Sequence, residues 1–237
     1  MARLISEMDK ARVNRALLFP ENLQIPIQHL AEVQKLHSGR FAIVGAVDPL
    51  SPDAVEVAEE TRLRWAVAGI SLSPSEAGRR WLNAFEVMPL WERLEQLGVA
   101  VSLHIASQDY NQFSDVVTTF PALRIVLEDL GSGPETMLSQ YVPILLEYAR
   151  YPQVHVSLSG LFRVSSLPYP YPDLWPVVES VYRTFGGRRL VWGSGYPEVL
   201  AASGYENAVE LLARFPFLDT ADRELIGHGN AARLWFD

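Results

Sequence analysis

No cysteine occurs in the 237 residues, so disulfides, zinc–thiolate sites and a thiol nucleophile are excluded. Positive charge is scarce as well: 20 Lys and Arg stand against 28 Asp and Glu, a net charge of −8. A surface for nucleic acid or anionic lipid needs clustered Lys and Arg, so neither partner is expected. No apolar run approaches the ~20 residues that span a bilayer. The opening stretch, MARLISEMDKARVNRALLF, lacks the basic segment, apolar core and cleavage site of a secretory signal. A cytoplasmic protein with a small-molecule substrate or ligand is the expectation. Also missing are low-complexity tracts and linkers, so residues 1–237 are read as one domain. No glycine-rich phosphate loop follows any predicted strand, which weighs against a doubly wound nucleotide-binding sheet.

What is present is an alternation of short apolar runs with amphipathic segments. Strands are predicted at Arg15–Phe19, Phe41–Val47, Val67–Leu72, Val99–Ile105, Leu123–Leu127, Val154–Leu158 and Leu190–Trp192. Helices are predicted over Leu4–Val13, Ile25–His37, Ser51–Arg64, Phe85–Leu97, Phe113–Phe120, Glu135–Tyr151, Leu174–Phe185, Tyr205–Phe215 and Thr220–Trp235. Near-continuous apolar strands point to a parallel sheet buried under helices. Seven such units give a TIM-like (β/α) barrel one strand short. A sheet left open in this way predicts a homodimer through the exposed edge.

Barrel chemistry sits at the C-terminal ends of strands. Those ends carry Asp48, Ser71 and Ser73, His104, Glu128 and Asp129, Ser157 and Ser159, and Ser194 with Glu198 beyond it. His104 closes the run Val99–Leu103 and is read either as a loop-bonded histidine or as a ligand or acid–base group. Glu128 and Asp129 are adjacent, so strand alternation lets at most one of them face the mouth. Asp48-Pro49 is read as a turn. Ser157, Ser159 and Ser194 have no neighbouring base, which leaves a serine nucleophile unsupported. His155 and His228 are read as structural, the latter in a late turn. The catalytic candidates are His104, Asp129, Glu128 and Glu198. Ser73, Ser159, Arg163, Trp192, Ser194 and Tyr196 are the candidates for substrate contact.

In order along the chain, MDKARVNRALLF, FAIVGAVDP, VAGISLSP, PLWERLEQLGVAVSLHIA, FPALRIVLEDLG, YPQVHVSLSGLFR, RLVWGSGYPE and GNAARLWF resemble the amidohydrolase-related (amidohydrolase 2) branch of the amidohydrolase superfamily. The resemblance implies a metal-dependent TIM barrel, with lactonases, other hydrolases of cyclic esters and amides, and nonoxidative decarboxylases among its members. It also implies a set of chemical residues that this chain mostly lacks. The HxH pair of the first strand is absent, and the resemblance implies that the strand missing from the barrel is the first. The histidine after the fifth strand matches His104, whereas Asp129 stands at the histidine of the HLG motif. Gly195 replaces the catalytic aspartate of the WGSDFPH-like motif, and Glu198 the histidine after it.

Zinc ordinarily takes three protein ligands and a water, so no metal ligand is assigned. A hard cation on Asp129, Glu128 and waters is the remaining metal reading. Three expectations follow. The first is a hydrolase or decarboxylase acting on a small carbonyl or carboxylate substrate through a rebuilt, metal-free site, with His104 and Asp129 as the acid–base pair. The second is an inactive barrel kept for binding. The third is a shortened chain, whose upstream strand would restore HxH but not the residues replaced at Asp129 and Gly195.

Overall fold

The computed structural model describes residues 1–20, 25–72, 80–105, 107–131 and 138–236. Seven strands form one all-parallel sheet in sequence order: β1 (Ala16–Leu18), β2 (Phe41–Val47), β3 (Gly69–Leu72), β4 (Ala100–Leu103), β5 (Ile125–Leu127), β6 (Val154–Leu158) and β7 (Leu190–Trp192). The sheet curls into a barrel open between β7 and β1, as expected from seven strand–helix units. Four of the strands, β1, β3, β4 and β5, are shorter than the apolar runs that announce them, because regular pairing begins or stops where a chain enters a turn. Val67 is fully buried outside β3, and the Ala68 N–H already bonds the Ile43 carbonyl at 2.8 Å.

The outer layer follows the helical periodicity. It comprises α1 (Ala2–Lys10), α2 (Ile27–Leu36), α3 (Ala54–Trp65), α4 (Met88–Leu97), α5 (Tyr110–Thr119), α6 (Leu138–Glu147), α7 (Leu161–Val164), α8 (Trp175–Phe185), α9 (Val199–Ala202), α10 (Tyr205–Arg214), α11 (Thr220–Glu224) and α12 (Asn230–Trp235). In α8, Val178, Val181 and Phe185 are buried, the i, i+3, i+7 stripe that seats a helix on a sheet. Helix α4 stops at Gly98 in the left-handed conformation, φ 63°, where a residue without Cβ carries no steric penalty. The four-residue helices α7 and α9 were not foreseen, being too short to show periodicity. The first part of the predicted Glu135–Tyr151 helix lies outside the described residues.

The predicted Thr220–Trp235 helix is not continuous. A π-helical turn, Leu225–Gly229, divides it and holds His228, where the sequence predicts a late turn. This break redirects α12. Leu234 and Trp235 then pack against Ala100, Val126 and Val191, with Leu17 and Ala68 alongside, as a small inner core separate from the large core between sheet and helices. A Cβ on Gly69 would come within 3.0 Å of Trp235 Nε1, so the glycine makes room for the indole. Asn230 is fully buried, and its amide donates to the carbonyls of Gly187 at 2.7 Å and Leu190 at 2.6 Å. The lower barrel is thus plugged, and chemistry is left to the other end. Among the described residues no helix is long and apolar enough to cross a membrane.

Candidate functional site

Alternation places Ala100, Ser102 and His104 on one face of β4, Val126 and Glu128 on one face of β5, and His155, Ser157 and Ser159 on one face of β6. Ala100 and Val126 belong to the inner core, so the polar members of these series rise above that plug at the C-terminal strand ends. Ser102, Glu128, Ser157 and Ser159 are all buried.

Strand alternation does not govern Glu128 and Asp129, which corrects the expectation that only one of them faces the mouth. Regular pairing ends at Leu127, and Asp129, Leu130 and Gly131 all take positive φ, 50°, 60° and 72°. Successive left-handed residues turn the chain back on itself. Both carboxylates therefore act electrostatically on His104. The turn is supported from outside by Tyr110, whose hydroxyl donates to the Gly131 carbonyl at 2.6 Å.

Asp129 is the hub. Its Oδ1 accepts from the Ser159 hydroxyl at 2.7 Å, and its backbone N–H donates to the same Oγ at 3.2 Å. Ser157 in turn donates to Ser159 at 2.8 Å. Asp129 Oδ2 lies 2.5 Å from Arg163 Nη1 and 3.6 Å from His104 Nε2. Arg163 continues the chain of charge, its Nε donating to Glu198 Oε2 at 2.7 Å and its Nη2 lying 2.5 Å from the same oxygen. His104 is reachable from solvent, with 54% of its side chain exposed, against 16% for Asp129.

Local sequence explains how Arg163 arrives there. Gly160 takes φ 63°, and a Cβ on it would stand 2.5 Å from Asp129 Oδ1, so only glycine lets β6 pass this close to the carboxylate. The turn starts α7, and the Arg163 N–H closes onto the Gly160 carbonyl at 2.8 Å. Phe162, beside it, fills the space above Gly195: a Cβ there would meet Phe162 Cε1 at 2.6 Å.

The cluster tunes its own ionisation. Partial burial lowers the His104 pKa, but the contact with Asp129 and the charges of Glu128 and Asp129 outweigh it, and the net shift is upward. For Asp129, burial raises the pKa, while His104, Ser159 and Arg163 pull it lower overall. Burial dominates at Glu128 and raises it, although the His104 charge and the Ser157 and Ser102 hydroxyls oppose this. Three neighbouring groups are thus pushed in different directions, as in acid–base sites.

Of the residues singled out from sequence, His104, Glu128, Asp129, Ser159, Arg163 and Glu198 come together. Trp192, Ser194 and Tyr196 make their contacts elsewhere. The Trp192 indole donates to the Ala208 carbonyl of α10 at 3.0 Å, since its place in β7 faces it to the outer layer. The Ser194 hydroxyl accepts from Tyr196 N–H at 3.3 Å, and the Tyr196 ring meets Tyr205 edge-on at 6.2 Å. Ser73 lies outside the described residues. Asp48 caps its own turn, its Oδ1 accepting from the Leu50 N–H at 3.0 Å. A void of about 10 Å³ between β6, β7 and the outer helices, lined in part by Trp192 and Ser194, has room for about one water and is too small for a substrate. Ser102 and Phe162 were missed. Ser102 was legible, two residues before His104 on the same face; Phe162 was not, because its role depends on a loop distant in sequence.

The amidohydrolase (amidohydrolase 2) family model matches residues 12–236. The chain is 27% identical over 180 residues to an L-fucono-1,5-lactonase of Burkholderia ambifaria, covering 72% of this chain and 60% of that enzyme. The match therefore spans less than two thirds of the lactonase's length. In structure it is similar to an amidohydrolase from Burkholderia multivorans with bound zinc, with a TM-score of 0.80 at 21% identity, covering 98% of this chain and 87% of that one. It is also similar to a putative 2-pyrone-4,6-dicarboxylic acid hydrolase from Pseudomonas putida, with a TM-score of 0.81 at 20% identity, covering 99% and 86%. At these identities the structural likenesses establish the fold.

The donor set does not fit a catalytic metal. Among the described residues no three His, Asp or Glu side chains gather in a way that could hold an ion. The position between Asp129 and Glu198 is taken by the Arg163 guanidinium.

Proposed function

From the premise that the chain belongs to the amidohydrolase family, whose model spans residues 12–236, we propose that it hydrolyses small carbonyl compounds, cyclic esters foremost. The observation that carries this reading is the solvent-reachable His104, whose Nε2 faces Asp129 Oδ2 at 3.6 Å. A histidine paired with a carboxylate is a general base near neutral pH, and a distance of this size tightens when substrate excludes water.

Neutral His104 takes a proton from a water that attacks the carbonyl carbon. Asp129 and Glu128 stabilise the imidazolium that forms. The Arg163 guanidinium, 34% exposed, offers positive charge to the oxygen on which negative charge develops. The imidazolium then returns its proton to the departing ring oxygen, leaving a hydroxy acid and the free base. Similarity to a lactonase supports the ester class. Decarboxylation of a small aromatic acid, which the family resemblance also suggests, is the other reaction to be assayed.

The test is turnover by EDTA-treated protein on a panel of sugar 1,5-lactones, pyrone carboxylates and hydroxybenzoates. Ring opening should survive EDTA, and His104→Ala should lower its rate by roughly 10²–10⁴-fold, the usual worth of general base catalysis. Full rate in both His104→Ala and Asp129→Ala would sink the proposal. Inactivity across the panel, with a ligand still raising the melting temperature, would turn the reading to a binding role.

A further inference from the structure

We infer that Arg163 is the resident cation of this site, pairing with both Asp129 and Glu198 and keeping the barrel mouth closed to metal. The inference uses the geometry of the proposed active site but does not depend on which substrate, if any, turns over there.

The geometry is that of one cation between two carboxylates. Arg163 Nη1 is 2.5 Å from Asp129 Oδ2, and Nη2 is 2.5 Å from Glu198 Oε2. The guanidinium is a cation, so a metal ion approaching these oxygens meets positive charge at contact distance. Nor is the arginine a loose surface group. Its main chain is bonded to Gly160, its guanidinium carbon lies 5.3 Å from the Phe162 ring centroid, and that ring is wedged against Gly195.

Charge balance makes the same point. Asp129, Glu198 and buried Glu128 gather negative charge around a histidine that is neutral when it acts as base, and Arg163 is the cation that faces two of the three. Without it the mouth becomes an acidic cluster with an imidazole 3.6 Å from one carboxylate oxygen. Ligand atoms about 2.0–2.2 Å from one tetrahedral zinc ion are about 3.3–3.6 Å apart, so His104 and Asp129, at 3.6 Å, stand at the upper edge of ligand spacing. Glu198, 60% exposed, is free to swing in as a third ligand once its arginine is gone. A side chain that holds the cation's place accounts for a donor set that departs from the metal dependence implied by the resemblance.

The experiment is zinc titration by calorimetry, with a chelator competition, on EDTA-stripped wild type, Arg163→Ala, Arg163→Met and Arg163→Lys. Both uncharged variants should bind one zinc about tenfold or more tightly than wild type, and Asp129→Asn on the Arg163→Met background should abolish the gain. Arg163→Lys, which keeps the charge, should stay near wild type. Arg163→Met retains an apolar stem against Phe162, so a failure of Arg163→Ala to fold leaves the question answerable. Zinc bound equally well by wild type and Arg163→Met, whether tightly or weakly, would overturn the inference. Binding is read without substrate, so inactivity on every lactone would leave this result standing.

Discussion

Phe162 and Gly195 interlock. The phenyl edge occupies the place where any side chain at position 195 would begin, with Cε1 2.6 Å from an ideal Cβ. Gly195 also holds φ 65°, a conformation that costs an L-residue roughly 1–2 kcal/mol. Putting aspartate there is therefore expected to destabilise the fold by about 1–3 kcal/mol rather than restore the WGSDFPH-like motif that the resemblance implies. Urea unfolding of Gly195→Asp, Phe162→Ala and the double variant separates the causes. The steric part should appear as a favourable coupling of about 1 kcal/mol in the double-mutant cycle. Strictly additive effects would mean that the ring does not guard the position.

Much of the fold was written in local patterns. Phe41–Val47, Val154–Leu158 and Leu190–Trp192 are strands over the residues expected, because apolar β-branched runs flanked by turn residues have few other outcomes. Of the candidates read from sequence, His104, Glu128, Asp129 and Ser159 lie at or just past strand ends, and Arg163 and Glu198 in the loops beyond; the structure brings these six together. The connections between them were not legible. That both carboxylates face His104 depends on three successive positive φ values after Leu127, two of them at Asp129 and Leu130, which carry no glycine signal. That Arg163 bridges Asp129 and Glu198 depends on a four-residue helix meeting a loop 35 residues further on. The outward direction of Trp192 was not legible for a related reason, since a short strand at the sheet's edge gives no alternation from which to tell its inner face.

The ionisation of His104 depends on its neighbour. Its pKa is depressed by burial but raised further by Asp129 and Glu128, for a net rise above 6.5. Asp129→Asn removes the largest raising partner and leaves the Arg163 charge less neutralised, so the His104 pKa should fall. Histidine resonances followed by NMR across pH 5–9 should show this, assigned by comparison with His104→Ala. In an active enzyme the acid limb of the rate profile should move the same way, to lower pH. Linkage sets the sign for stability. A histidine raised in the folded state adds stability below its unfolded pKa and loses it as pH rises through the folded value. Asp129, which is lowered, adds stability above its unfolded pKa and loses it as pH falls. An unchanged or raised His104 pKa in Asp129→Asn would contradict the assigned coupling.

Tyr110 supports the turn from behind. It is 1% exposed, its hydroxyl donates to the Gly131 carbonyl at 2.6 Å, and its own carbonyl accepts from Tyr148. Tyr110→Phe keeps the ring and leaves a buried carbonyl without that donor, which costs about 1–3 kcal/mol. Thermal and urea unfolding should register that loss. If the hydrogen bond also holds Asp129 in register, the variant should weaken turnover through kcat more than KM. A variant as stable as wild type would show that the turn does not need the bond.

His155 gives the molecule its own acid sensitivity, apart from the mouth. It is 7% exposed, and its Nδ1 lies 3.1 Å from the Gln153 carbonyl oxygen. Burial foremost, aided by the charges of Arg233 and Arg189, lowers its pKa from 6.5 to about 4. Between those values the unfolded chain holds a proton that the folded one does not, so stability must fall as pH drops through the window. Each pKa unit is about 1.4 kcal/mol, which makes the full loss about 3 kcal/mol. His155→Gln is neutral throughout and should flatten this part of the profile. Urea midpoints at pH 7 and pH 4.5, with m-values checked for constancy, give the comparison. Wild type should lose more stability than the variant between the two pH values, even if the variant is the less stable protein at pH 7. Equal losses in both would place the acid sensitivity in the carboxylates of the mouth instead, where Asp129→Asn is the variant that should then remove it.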